Sequence, residues 1–185
     1  MDAAIAAKVP RYIPSEFGID TRKYRNLKIS SLLMPKIRNT FNHAYHSIQP
    51  QLRKYYVVNS GDEPFSTSTM SFVGQAIASV LKKPAEMANK YLNVAGMITT
   101  QNEIIRAVGE VTGSKFEISY LKSADLEKIA DKKMAKNDHS GFMEYLQQFV
   151  FANGMGYAPA PKDSANGLLK LEYEDLPEAV KKCLP

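Results

Sequence analysis

The segment that most restricts the fold runs from Thr100 to Tyr120. Thr100-Gln-Asn-Glu103 has the spacing of a capping box, in which a hydroxyl and a carboxylate each accept a backbone N–H at the start of a helix. Ile104, Ile105, Val108 and Val111 continue an apolar stripe of helical period as far as Gly113, a residue suited to the left-handed turn that ends helices. Phe116, Ile118 and Tyr120 then alternate with Glu117 and Ser119, the period of a half-buried strand. A capped helix that passes directly into an alternating strand points to an α/β chain.

The rest of the chain is read on the same rules. Residues 3–8 suit the last turns of a helix, and 11–13 a strand that Pro10 can only begin, because proline gives no ladder donor. Residues 18–31 are polar and irregular, and 30–47 are helical at best with poorly phased apolar positions. Tyr55-Tyr-Val-Val58 is a β-branched and aromatic strand closed by the turn residues Asn59-Ser-Gly-Asp62. Phe72/Val73, Ala76/Ile77 and Val80/Leu81 recur at four-residue intervals behind the candidate caps Ser68 and Thr69, which predicts an amphipathic helix ending before Pro84. A short strand over 91–95, helices over 125–136 and 141–152, a Gly/Pro/Ala-rich loop over 153–161 and a last helix over 176–183 complete the expectation. Strands are few for a full doubly wound sheet.

A chain of 185 residues, 44% of them hydrophobic, is the size of one domain. The formal charge of +5 is uneven: residues 1–54 carry ten Lys/Arg against three acids, and the remainder fourteen against sixteen. No aromatic run is interleaved with the basic front, so it reads as a solvated face and not as a nucleic-acid platform. Cys183 is the single cysteine, which fits a reducing compartment. An acid at Asp2 and a short apolar run argue against a secretory leader, and no stretch reaches the roughly 18 apolar residues of a membrane span. The expectation is a soluble, cytoplasmic protein with no membrane or nucleic-acid partner.

Val9-Pro-Arg-Tyr-Ile-Pro-Ser-Glu-Phe-Gly18 places a short apolar strand directly before a turn. A turn at the carboxyl end of a parallel strand lies where open α/β sheets bind ligands; there Ser15 offers hydroxyl and backbone groups and Phe17 an aromatic face. The plainer reading is a strand-ending turn with one buried phenylalanine. Together with Gly61-Asp-Glu-Pro-Phe-Ser-Thr-Ser-Thr-Met70, Ala88-Asn-Lys-Tyr91 and Thr100-Gln-Asn-Glu-Ile104, this motif resembles the isoflavone reductase-like branch of the NmrA-like oxidoreductases over most of the chain.

The resemblance implies an α/β fold: a partial Rossmann-like, doubly wound sheet carrying the C-terminal substrate-domain helices and strands of the NmrA-like fold. It also implies an NAD(P)H-dependent reductase, with NADP as cofactor and a small, aromatic or secondary-metabolite substrate. In the family, the positions matching Ser15 and Phe17 lie against the nicotinamide half of NADP, and a lysine downstream donates a proton at the substrate. Aligned on its Pro-Lys pair, Met34-Pro-Lys-Ile-Arg38 puts Lys36 on that catalytic lysine; aligned on Ile-Arg, Met34 replaces the lysine. We favour the first register. The plainer reading of Lys36 is one more surface cation.

The family places a complete βαβ unit, roughly 30 residues, ahead of this motif. Only Met1 to Lys8 precede its strand here, and 23 residues separate Lys36 from Ser60. A single domain is therefore expected over 1–185, with 1–58 a remnant of the dinucleotide-binding half and 59–185 the substrate-side portion. The competing expectation is a non-catalytic, truncated paralogue acting as a binding or regulatory protein, or without activity, self-associating through apolar surface that missing strands leave uncovered.

Other constellations are weak. His43 and His46 share a helical spacing with no fitting third ligand, so no metal site is expected. Asp62 and Glu63 form a carboxylate pair on a turn, more suited to capping than to acid–base work. Gly154-Met-Gly156 lies after a helix, the wrong context for a pyrophosphate cradle.

Overall fold

A computed structural model describes residues 2–13, 48–49, 54–155, 158 and 163–183. The chain divides into two compact units, residues 1–40 and 41–185. In the first, helix α1 (Asp2–Ala6) closes with Ala7 N–H on the Ala3 carbonyl at 2.9 Å and Lys8 N–H on the Ile5 carbonyl at 3.0 Å. Residues 11–13, expected as a strand, are exposed and in no strand. Pro10 withholds a donor at their start. The helix expected over 30–47 falls outside the described residues.

The second unit holds β1 (Ile48–Gln49), β2 (Lys54–Val58), β3 (Phe65–Thr67), α2 (Met70–Lys82), α3 (Pro84–Met87), β4 (Met97–Thr99), α4 (Gln101–Thr112), β5 (Glu117–Leu121), α5 (Ser123–Met134), α6 (Gly141–Phe151), α7 (Asn166–Leu169) and α8 (Leu176–Cys183). One sheet has the order β1-β2-β5. Its β1–β2 pair is antiparallel and its β2–β5 pair parallel, with Tyr55 beside Ile118 and Val57 beside Tyr120. Strands β3 and β4 form a second, antiparallel pair.

Local chemistry explains the helix boundaries. The capping box of α4 forms: Thr100 Oγ1 accepts the Glu103 N–H at 3.1 Å, and Glu103 Oε2 accepts the Thr100 N–H at 3.0 Å. Gly113 ends that helix at φ 64°, a conformation glycine adopts without strain. Of the two candidate caps of α2, Thr69 does the capping by accepting the Phe72 N–H at 3.2 Å. Ser68 instead receives the Gly96 N–H at 2.8 Å. Pro84 opens α3 at a position where its missing N–H leaves nothing unbonded.

The core gathers Tyr55, Val57 and Val58 of β2, Phe65 of β3, Ile104, Ala107 and Val108 of α4, Leu126 of α5, Phe151 of α6 and Val180 of α8. Phe65 and Phe151 meet edge to face with centroids 5.0 Å apart, a favourable aromatic arrangement. Helices α5 and α6 pack as a pair. Lys133 Nζ meets Glu144 Oε1 at 2.5 Å between them, and Tyr145 donates its phenolic proton to Asp131.

Two strand expectations need correction. Residues 91–95 are not a strand; the strand lies at Met97–Thr99. The backbone of Ala95 is bonded instead by a side chain: Asn166 Nδ2 donates to its carbonyl at 2.8 Å, and Asn166 Oδ1 accepts its N–H at 3.2 Å. In β5 the strand is where expected but its apolar face is open, with Ile118 at 40% and Tyr120 at 65% exposure. The reason is position: α4 and α6 pack on β2, and β5 reaches the core through Phe116 and Leu121 at its ends.

Candidate functional site

The carboxyl ends of parallel strands are where open α/β sheets place ligands, and β2 and β5 end together at Val58 and Leu121. The Asn59 N–H continues the ladder onto the Leu121 carbonyl at 2.8 Å. The chain then turns back sharply. Asn59 takes φ 52°, which asparagine tolerates, and Gly61 takes φ 76°. A Cβ at Gly61 would stand 2.5 Å from Val57 Cγ1 and 2.7 Å from Asn102 Oδ1, so glycine is needed for space as well as for conformation.

Seven polar residues converge on this turn. The Asn59 amide bridges to the start of α5, donating to Ser123 Oγ at 3.1 Å and accepting the Ser123 N–H at 3.0 Å. Asn102 of α4 donates to the Ser60 carbonyl at 3.0 Å and to Asp62 Oδ1 at 2.7 Å, while its own N–H meets the Gly61 carbonyl at 3.1 Å. From the segment after α6, Asn153 Oδ1 accepts the Ser60 hydroxyl at 3.1 Å, and the Gly154 N–H donates to Glu63 Oε2 at 2.7 Å. Asp62 and Glu63 thus clasp neighbouring segments.

Beneath the rim sits a group that periodicity alone could not reveal. Gln101, 1% exposed, accepts the Val58 N–H through Oε1 at 2.9 Å and donates from Nε2 to the Tyr56 carbonyl at 3.2 Å. Because Asn59 bonds toward β5, these even-numbered backbone groups face the β1 side, where among the described residues β1 pairs with Lys54 and Tyr55. The Gln101 amide therefore acts as one peptide unit of an additional strand. Burial drives the Tyr55 phenol far above its usual range, opposed by its hydrogen bond with the same Gln101 side chain.

Ser15, Phe17 and Lys36 lie outside the described residues, as do His43, His46 and Gly156. Among the described residues no group of three His, Cys, Asp or Glu side chains is placed to hold a metal ion. A dinucleotide pyrophosphate needs free backbone N–H groups where a strand turns into a helix. At the β5–α5 junction the Ser123 N–H is held by Asn59, and Asp125 puts negative charge in the first turn of the helix. The Gly154 N–H is held by a carboxylate. The described residues do not fit a pyrophosphate.

The structural comparison decides the architecture. The chain superposes on a solved structure, AtPrR2 in its apo form, with a TM-score of 0.65 and 19% identity, covering 98% of this chain and 67% of the other. The fold is the mixed α/β, Rossmann-like fold of that structure. Two fungal oxidoreductases are similar in sequence. One is aprR of Aspergillus flavus, 22% identical over the whole of this chain and 71% of its own length. The other is poxI of Penicillium oxalicum, 28% identical over 131 residues, which span 69% of this chain and 42% of poxI. No family model matches. The chain is thus a relative of named oxidoreductases, and among its described residues no helix is long and apolar enough to cross a membrane.

Proposed function

We propose that the protein is an NAD(P)H-dependent oxidoreductase of the NmrA-like, isoflavone reductase type, acting on a small aromatic or secondary-metabolite molecule. The observation that carries this reading is the similarity to the oxidoreductase aprR along the entire chain, joined to a reductase fold. When bound, a nicotinamide supplies the hydride. The chain's own tasks are to hold the substrate and deliver a proton, which the resemblance gives to Lys36. An ammonium in a desolvated site loses its proton more readily and suits that role. Ser15 and Phe17 are proposed to line the nicotinamide side of the site, because the family resemblance puts the matching positions there.

Titration of the purified protein with NADPH and with NADH, followed by nucleotide fluorescence and calorimetry, tests the reading. Saturable binding of either, weakened by Phe17→Ala, supports it. No signal up to millimolar cofactor sinks it. Lys36→Ala is expected to keep cofactor binding and to lose on the order of 10²-fold or more in cofactor oxidation with an accepted aromatic carbonyl compound.

A second reading, a non-catalytic binding protein, is favoured by the closed hydrogen bonding of the β2 rim and the open apolar face of β5. The same titration separates the two, since this reading requires no nucleotide binding.

A further inference from the structure

The sequence holds two Asn-Gly pairs, Asn153-Gly154 and Asn166-Gly167. Such pairs are the chemically weak points of a polypeptide, because a glycine offers little obstruction when its backbone nitrogen attacks the preceding side-chain amide. The two stand in opposite surroundings. Asn166 is 4% exposed and begins α7; its Nδ2 is held by the Ala95 carbonyl, and its Oδ1 by the Ala95 N–H and the Ser164 hydroxyl. Asn153 and Gly154 are exposed in the turn after α6.

At Asn153-Gly154 the neighbours match what the reaction needs. The attacking nitrogen must lose a proton, and the Gly154 N–H already donates to Glu63 Oε2 at 2.7 Å. The carbonyl under attack must carry negative charge as the tetrahedral carbon forms, and the Ser60 hydroxyl already donates to Asn153 Oδ1 at 3.1 Å. A carboxylate base and an oxyanion donor thus stand on the two reacting groups. The geometry points to Asn153 as a self-modification site: a succinimide forms between Asn153 Cγ and the Gly154 nitrogen, promoted by Glu63 and Ser60.

The step balances without a redox partner. The Gly154 nitrogen passes its proton to Glu63 and bonds to Asn153 Cγ. The Cγ–Nδ2 bond then breaks, and the amide nitrogen takes the proton from Glu63 and leaves as ammonia. Water opens the five-membered ring at either carbonyl, leaving aspartate or isoaspartate at position 153. The product carries a new negative charge next to Gly154, which Glu63 holds, and the isoaspartate form lengthens the main chain by a methylene. Either change loosens the clasp between the β2 turn and the end of α6, so the rim of the candidate site ages with the protein.

The test incubates the full chain at neutral pH, folded and in urea, and follows residues 153 and 166 by peptide mass spectrometry and isoaspartyl methyltransferase labelling. Conversion at Asn153 faster in the folded chain than in the unfolded one, with Asn166 converted only when unfolded, is expected. Glu63→Gln is expected to slow the folded-state reaction roughly tenfold, less than a general base supplies in an enzyme because water reaches this turn. Ser60→Ala, on an exposed position, gives a second reading with circular dichroism confirming the fold. Equal rates at Asn153 in the folded and unfolded chains, or unchanged folded-state rates in both variants, would overturn the proposal.

Discussion

Gln101 completes the hydrogen bonding of Val58: its Oε1 accepts the Val58 N–H at 2.9 Å from 43 residues away, inside the core. Its Nε2 at the same time satisfies the Tyr56 carbonyl. One side chain thus ties the start of α4 to the middle of the sheet. Gln101→Ala strands a buried donor and an acceptor, each worth about 1–3 kcal/mol when left unpaired. A loss of about 2–4 kcal/mol in urea unfolding is expected. A loss below about 0.5 kcal/mol, the scale of an ordinary surface change, would show that water replaces the amide.

Alkaline pH should act through Tyr55. Its folded pKa lies above the unfolded value of about 10, so the folded chain keeps a proton that the unfolded chain releases. The associated stability is whole below that unfolded pKa and is lost as pH rises above it toward the folded value. Urea midpoints measured from pH 8 to pH 11 (about two units below and one above that value) are expected to fall at the top of the range. Tyr55→Phe should flatten the fall; an equally steep fall in the variant assigns it to other groups.

Gly61→Ala combines a positive φ with a Cβ that overlaps Val57 and Asn102. The left-handed conformation and the overpacking together are expected to cost about 2–4 kcal/mol. Thermal unfolding checks this, and a melting temperature equal to that of the parent chain would falsify the close packing of the turn on α4.

Glu174 accepts both the N–H of Thr69 at 3.0 Å and its hydroxyl at 2.5 Å, while Thr69 caps α2. Thr69→Ala is expected to cost about 0.5–2 kcal/mol. A double-mutant cycle with Glu174→Ala should give a coupling of about 1 kcal/mol. Additive losses in that cycle would mean the carboxylate bonds water equally well.

Much of the fold was legible because its signals were local. The α4 box was readable from Thr100 and Glu103, the α2 stripe from Phe72 to Leu81, and β2 from four consecutive β-branched or aromatic residues. What escaped was set by distant partners. Asn166, not a neighbouring strand, bonds Ala95, and nothing in residues 91–95 announces a side chain arriving 71 residues later. Ile118 and Tyr120 have the right alternation, but which face is covered depends on where α4 and α6 lie across the sheet. For the site, the turn position of Asp62 and Glu63 suits capping, and they hold Asn102 and Gly154. The network of Asn59, Ser60 and Asn153 leaves no mark in the sequence, since amides and hydroxyls on loops carry no periodicity. Ser15, Phe17 and Lys36 rest on family likeness alone.

The reach of Glu174 back to Thr69 also bears on biosynthesis. The paired strands β3 and β4 and the head of α2 leave the ribosome well before the segment that locks them. Until residues 163–175 emerge, Thr69 lacks its carboxylate and Ala95 lacks Asn166. A nascent chain paused ahead of that segment would carry a strand pair not yet locked, exposed to proteases and chaperones until translation resumes.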